Sequence, residues 1–283
     1  MNQNYLFKLR FKNQNKIIFS LPQSCLYHQI LNLKINSKNY QIINEKKWGN
    51  RVVVLKNKSE INFTVKPFSL KSSLNQKFFL SSYKKTKIPQ IYLKPNQFIN
   101  GKDQKIKSIA KKILGQETSL LKVVKRLYDF TLAYLIYGKP INGLYSYSQA
   151  LNEKITDCGG FSTFLASLLQ SQNIPSRLVV GFIIKKNIIK YLLIKLQLTS
   201  YGLQDLFMHA WLEVLLPDGS FFPLDPSIEW KRKKGKTQRQ GGFGFIPADR
   251  LVTSYGCDFE LKVYEEVHKI DLLQKPIIIT HTW

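Results

Sequence analysis

TDCGGFSTFLASLLQSQNIPSRLVVGF occupies residues 156–182 and carries the clearest structural signal in the chain. Its first half has apolar side chains at helical spacing, at Phe161, Phe164, Leu165, Leu168 and Leu169. This pattern predicts an amphipathic helix that ends at Asn173, before Ile174-Pro175. The apolar, β-branched run at residues 178–184 then predicts a strand.

Cys158 lies in the first turn of that predicted helix, where Thr156 or Asp157 can cap the unpaired N–H groups. The positive end of a helix favours the thiolate, which is the nucleophilic form of cysteine. Gly159 and Gly160 weaken a helix but leave room for a substrate. Cysteine is often a small buried hydrophobic residue. The position at a helix start, beside two glycines, favours a nucleophile instead.

The segment around Pro217-Asp218-Gly219 predicts a hairpin with a three-residue loop. Leu216 then faces Ser220, and every pair of facing residues has numbers that sum to 436. His209, Trp211 and Asp225 fall on one face of the sheet, with Asp225 as a diagonal neighbour of His209. A two-residue loop would place His209 and Asp225 on opposite faces.

Cys158, His209 and Asp225 are therefore the candidate catalytic residues. The imidazole takes the thiol proton for attack on an amide or ester carbonyl, and the carboxylate holds the ring and stabilises its charge. The backbone N–H of Cys158 is a candidate oxyanion donor. The candidates for a second donor are Tyr137, Tyr145 and Tyr147, and the sequence does not choose among them.

The rest of the chain predicts an α+β protein. Helical spacing occurs at residues 106–114, from about Ser119, and at residues 146–151. Strand-like runs at residues 191–198, 209–216 and 221–224 come after the helices, which indicates an antiparallel sheet. Before Pro95 the chain is β-rich, and a small β-sandwich is the simplest interpretation. The predicted domains are residues 1–98 and residues 99–283.

Three motifs resemble the transglutaminase-like superfamily of cysteine enzymes. Residues 156–182 look like its nucleophile helix, and HAWLEV (209–214) with PLDPS (223–227) look like its His and Asp strands. The resemblance extends to residues 248–250 and 256–259, and Trp48-Gly49-Asn50 in a β-rich leader is similar to the N-terminal domain of bacterial members. Two departures are Thr156 and Asn173, where the family usually has glycine.

The resemblance implies a papain-like fold and thiol chemistry on amides of peptides or proteins, with no cofactor. Hydrolysis is favoured over acyl transfer to amines, because water needs no acceptor site. The alternative is an inactive scaffold that binds an anionic partner through a basic surface. His28, His268 and His281 have no Cys or carboxylate neighbours at metal-ligand spacing, so we expect no metal site.

Charge and cysteine content indicate the setting in which the chain works. There are 43 basic and 18 acidic residues, which gives a net charge of +25 that can attract acidic partners. The lysines are spread along the chain, so a generally solvated basic surface is favoured over a nucleic-acid binding site. The basic run at residues 231–236 is interpreted as a solvated loop. We expect a cytosolic location. The chain has three cysteines, its N-terminus does not read as a signal peptide, and the 188–198 segment is too charged to span a bilayer.

Overall fold

The computed structural model describes residues 4–12, 16–56, 58–75, 77–185 and 199–279. The predicted strand at residues 191–198 and the predicted non-ligand His281 lie outside these residues. Among the described residues, no helix has the length and apolar character needed to span a bilayer. The structure contains both helices and antiparallel sheets, so the predicted α+β class is confirmed.

Two antiparallel sheets form the β-rich N-terminal region. Its strands are β1 (Tyr5–Phe11), β2 (Lys16–Leu21), β3 (His28–Asn36), β4 (Tyr40–Asn44), β5 (Arg51–Leu55), β6 (Ser59–Pro67) and β7 (Leu70–Lys71). One sheet has the order β1-β6-β3, and β4, β5 and β2 follow one another in the second. Alternating side chains of β1 and β6 are buried, since strands covered on one face present every second residue to the core. The predicted β-rich region is confirmed.

Helices dominate the middle of the chain. They are α1 (Gln104–Leu114), α2 (Leu120–Tyr134), α3 (Tyr147–Glu153) and α4 (Cys158–Ser171), with the short strands β8 (Ile136–Tyr137) and β9 (Ile155–Thr156) between them. Asp103 caps α1, and the Ser146 side chain accepts a hydrogen bond from the Gln149 N–H to cap α3. Almost all of α4 is buried, because the other helices and the following sheet pack around it.

The remaining elements are β10 (Ser176–Ile184), β11 (Leu206–Leu215), β12 (Phe221–Leu224), α5 (Pro226–Lys233), β13 (Phe245–Ile246), β14 (Arg250–Tyr255), β15 (Phe259–Val263), β16 (Glu266–Ile270) and β17 (Ile277–Ile279). Four of these strands form the central sheet, which has the order β12-β11-β10-β14 and lies against α4. Strand β17 returns to the N-terminal region and pairs with β2, and β13 pairs with β7.

One hydrophobic core joins residues from both sides of the predicted domain boundary. Side chains of β1, β2, β5 and β6 pack there with Phe182, Ile184, Leu206 and Leu251 of the central sheet. A second core surrounds α4 and contains most of the buried side chains of α1 and α2. The boundary between residues 98 and 99 remains a prediction.

Candidate active site

Cys158 is the first residue of α4 and borders a cleft. The Asp157 carboxylate accepts hydrogen bonds from the N–H groups of Gly159, at 2.8 Å, and Gly160, at 3.3 Å, so it caps the helix. Burial raises the pKa of the Cys158 thiol to about 12, and the nearby Asp157 charge raises it further. The backbone N–H of Ala210 acts in the opposite direction. The helix start therefore does not outweigh burial, and Cys158 is a neutral thiol at rest.

The hairpin that carries His209 and Asp225 has the register expected for a three-residue loop. Leu212 pairs with Leu224 and Val214 pairs with Phe222, and the Leu216 N–H donates to the Ser220 carbonyl at 2.8 Å. Gly219 has a φ of 85°, which is the left-handed conformation that glycine adopts without strain. This register brings His209 and Asp225 to the same face of the sheet.

His209 Nε2 and Asp225 Oδ2 are 2.8 Å apart, and both side chains are buried. Burial lowers the pKa of His209, and the adjacent Asp225 opposes that change only in part. The pKa of Asp225 lies well below its ordinary value, since His209 and the Arg250 guanidinium outweigh the effect of burial. The resting pair is a neutral imidazole beside an ionised carboxylate.

The cleft has a volume of about 380 Å³, and Cys158, His209 and Ala210 lie along it. Residues 140–144 form one wall and residues 269–277 form much of the other. The Gln274 amide donates to the carbonyl of His209 at 3.0 Å and to that of Gly181 at 2.6 Å, which fixes the second wall to the central sheet. The structure thus brings a thiol and a carboxylate-bound imidazole to one groove.

Residues 107–226 match the family described as the transglutaminase-like superfamily. This segment is a transglutaminase-like core. It includes α4, the central hairpin and all three candidate catalytic residues. The resemblance drawn from the sequence motifs is therefore confirmed for residues 107–226.

Solved structures resemble the chain at low sequence identity. A structure from Cytophaga hutchinsonii, named a "Putative Cysteine Protease", matches with a TM-score of 0.55 and 13% identity, over 89% of this chain and 80% of that one. The periplasmic domain of TgpA from Pseudomonas aeruginosa matches at 0.41 and 12%, over 80% and 94%. Red sea bream transglutaminase matches at 0.33 and 12%, over 96% and 58%. None of the curated proteins compared with the chain matches it.

The three tyrosines considered as oxyanion donors occupy different places around the transglutaminase-like core. Tyr137 lies along the cleft with Cys158, and burial raises the pKa of its hydroxyl, so it remains protonated. The Tyr145 hydroxyl instead donates to the carbonyl of Lys139 at 2.8 Å. The Tyr147 hydroxyl lies 3.1 Å from the carboxylate of Asp103. The structure therefore places Tyr137, and neither of the others, beside the thiol.

Lys231 is a site residue that the sequence did not reveal. Residues 231–236 are interpreted from the sequence as a solvated loop; the first three lie in α5 instead, although Arg232 and Lys233 are exposed as expected. Lys231 is half-buried, and its Nζ lies 3.4 Å from the centroid of the Tyr137 ring. Its charge acts on Cys158 and lowers the pKa of the thiol. A run of lysines looks solvated in sequence, and only the position of α5, which Asp225 caps, brings one of them against Tyr137.

Proposed function

We propose that the chain is a cysteine-dependent amide hydrolase that acts on peptides or proteins through an acyl-enzyme on Cys158. The observation that supports it most is the 2.8 Å contact between His209 and Asp225 beside the cleft that Cys158 borders. Thiol, imidazole and carboxylate are the three groups that such chemistry requires. The transglutaminase-like core supports the same reaction class.

In the proposed first step the Cys158 proton passes to His209 as the sulfur attacks the amide carbonyl. Because Nε2 faces Asp225, Nδ1 is the ring nitrogen that takes this proton. The oxyanion receives hydrogen bonds from the backbone N–H of Cys158 and the hydroxyl of Tyr137. The carbon–nitrogen bond then breaks, and the imidazolium returns its proton to the leaving amine, which leaves a thioester on Cys158.

In the second step water attacks the thioester while His209 takes a proton from it. The thioester bond breaks, the acid product leaves and the proton returns to the sulfur. Hydrolysis is proposed over transfer to an amine because water needs no dedicated acceptor site. Since thiol and imidazole are both neutral at rest, proton transfer accompanies the attack on the carbonyl.

The test is labelling with a library of thiol-reactive peptides, followed by mass spectrometry of the peptide that contains Cys158. We expect His209→Ala to slow labelling at pH 7 by about 100-fold or more, since a general base contributes 10²–10⁴-fold. His268→Ala is the matched control, because His268 lies on β16 and contacts Glu266. Equal labelling of His209→Ala and wild type, or faster labelling of Cys25 than of Cys158, contradicts the proposal.

A further inference from the structure

Asp225 shares one carboxylate oxygen between two partners. Its Oδ2 atom lies 2.8 Å from His209 Nε2 and 2.9 Å from Arg250 Nη2. Its Oδ1 atom accepts the N–H of Ile228 at 3.2 Å and so caps α5. The carboxylate is thus held on three sides, by the sheet strand β11, by the helix α5 and by the strand β14.

Arg250 is fully buried, although arginine is rarely buried without a partner. It lies on β14, where it pairs in register with Ile183 of the central sheet. Its second terminal nitrogen, Nη1, donates to the Asp249 carboxylate, which also contacts Arg239 at 3.5 Å. Burying a guanidinium is costly unless its charge is compensated. The two carboxylates supply that compensation, so Arg250 is committed to Asp225 and Asp249.

The space around this contact is closed. Gly241 lies against it, and a Cβ atom there would be 3.5 Å from Arg250 Nη2 and 3.6 Å from Asp225 Oδ2. The guanidinium carbon of Arg250 is 5.8 Å from the centroid of the Trp211 ring, which in turn stacks on His209 at 5.7 Å. The groups therefore interact in a medium with little water, where charges act strongly on one another.

We propose that Arg250 is a positioning residue of the cysteine chemistry: by sharing Oδ2 of Asp225 with His209, it fixes the carboxylate and limits how strongly Asp225 stabilises the imidazolium. The inference rests on the proposed function. A carboxylate facing a histidine alone favours the protonated ring. A carboxylate that already forms an ion pair with a guanidinium does so less, so His209 remains unprotonated and able to accept the thiol proton at neutral pH.

Three charged groups act on His209 from the elements around it: Asp225 after β12, Arg250 on β14 and Lys231 on α5. Further titratable or charged groups line the same cleft: Asp157, Cys158, Lys269, Asp271 and Lys275. Asp225 raises the pKa of His209, whereas burial, Arg250 and Lys231 lower it. Removal of Arg250 leaves Asp225 as the nearest charge, at 2.8 Å. The titration of His209 therefore reports directly on what Arg250 does.

The experiment is an NMR titration of the His209 imidazole in the full chain, with wild type, Arg250→Met and Arg250→Gln. We expect both substitutions to raise the pKa of His209 by about one unit or more, since a charge within 4–6 Å shifts a pKa by that amount. Arg239→Gln is the matched control, because it removes the other cation on Asp249 and leaves Asp225 untouched; its His209 should titrate as in wild type. Circular dichroism identifies which variants fold.

An unchanged His209 pKa in a folded Arg250→Met or Arg250→Gln protein overturns the proposal. If neither variant folds, Asp249→Asn decides, because it removes the other carboxylate on Arg250 and leaves the guanidinium charge to Asp225. The proposal then expects a His209 pKa below that of wild type, and an unchanged or raised pKa contradicts it. The titration needs no substrate. If Cys158 fails the labelling test while the His209 shift appears, the proposed function is wrong, and only the effect of Arg250 on the His209 pKa remains. If Cys158 passes the labelling test and the His209 pKa does not shift, the proposed function stands and the role of Arg250 is wrong.

Discussion

Thr156 and Gly160 meet at the start of the nucleophile helix. Thr156 stands where the family usually has glycine, and its side chain occupies the space beside Gly160. A Cβ atom on Gly160 would lie 1.8 Å from Thr156 Oγ1 and 2.9 Å from Thr156 Cβ. The threonine hydroxyl is buried, and within the described part of the chain it has no hydrogen-bond partner. The missing side chain at Gly160 thus accommodates the departure at Thr156.

This contact predicts that the cost of Gly160→Ala depends on Thr156. In the wild-type chain the added methyl group should destabilise the protein by about 1–3 kcal/mol, the usual cost of overpacking a core. In a Thr156→Gly background the space is free, and the same substitution should cost much less, because alanine favours a helix over glycine by about 1 kcal/mol. Chemical denaturation of the four proteins measures both costs. Equal costs in the two backgrounds would show that the two side chains do not compete.

Whether the sequence predicts the position of a site residue depends on whether local chain geometry or tertiary packing places that residue. The contact between His209 and Asp225 follows from strand alternation and from the length of one loop, so the sequence predicted the geometry that the structure has. Arg250 and Lys231 reach the same site through tertiary packing, and no local pattern gives their direction. The sequence around the three candidate tyrosines does not show which hydroxyl lies near Cys158, and only the fold separates Tyr137 from Tyr145 and Tyr147.

Elements with a strong internal pattern were predicted well, and elements defined by distant partners were not. The apolar spacing of residues 161–169 predicted α4, and the run at 221–224 corresponds to β12. By contrast, β17 exists because it pairs with β2, more than two hundred residues away. The connection of β3 to β14 is equally long-range: His28 Nε2 accepts the Val252 N–H at 2.9 Å. Such pairings leave no periodic signal in the sequence.

The connection between β3 and β14 predicts a pH-dependent stability. Burial lowers the pKa of His28 from 6.5 to about 4, so between those values the unfolded chain binds a proton that the folded chain does not. The stabilisation is complete above about pH 6.5 and is lost as the pH falls to about 4, with a loss of about 3 kcal/mol. Below about pH 4 both states are protonated at this residue, and the dependence on His28 ends.

Urea denaturation of wild type and His28→Gln between pH 7.5 and 4 measures this effect. The amide oxygen of the introduced glutamine can accept the Val252 N–H and does not titrate, so the pH-dependent loss should be smaller by about 3 kcal/mol in that variant. His209 also makes both proteins less stable as the pH falls, since its pKa is lowered in the folded state too. Parallel stability curves for the two proteins would contradict the prediction.

At the scale of the whole molecule, the N-terminal region is bound to the central sheet by specific contacts as well as by the shared core. The Asn50 side chain donates to the Tyr255 carbonyl at 2.9 Å and accepts the Tyr255 N–H at 2.8 Å. The Tyr27 hydroxyl donates to the buried Glu213 carboxylate at 2.6 Å, and Ser20 donates to the Thr253 carbonyl at 2.7 Å. Opening this interface would expose apolar surface and leave buried polar groups without partners.

These contacts predict that the chain unfolds as one cooperative unit across the predicted boundary between residues 98 and 99. Scanning calorimetry should give a single transition with equal calorimetric and van't Hoff enthalpies. Asn50→Ala removes both hydrogen bonds to Tyr255 and should lower the temperature of that one transition without splitting it. Asn62→Ala is the matched control, because its amide donates to Glu60 within the N-terminal region, and it should have a smaller effect. Two resolved transitions in wild type would contradict this prediction, because each region would then unfold independently. The cleft wall at residues 269–277 leads into β17, which pairs with β2 of the N-terminal region. That wall would then have to remain folded after the sheet that contains β2 had unfolded.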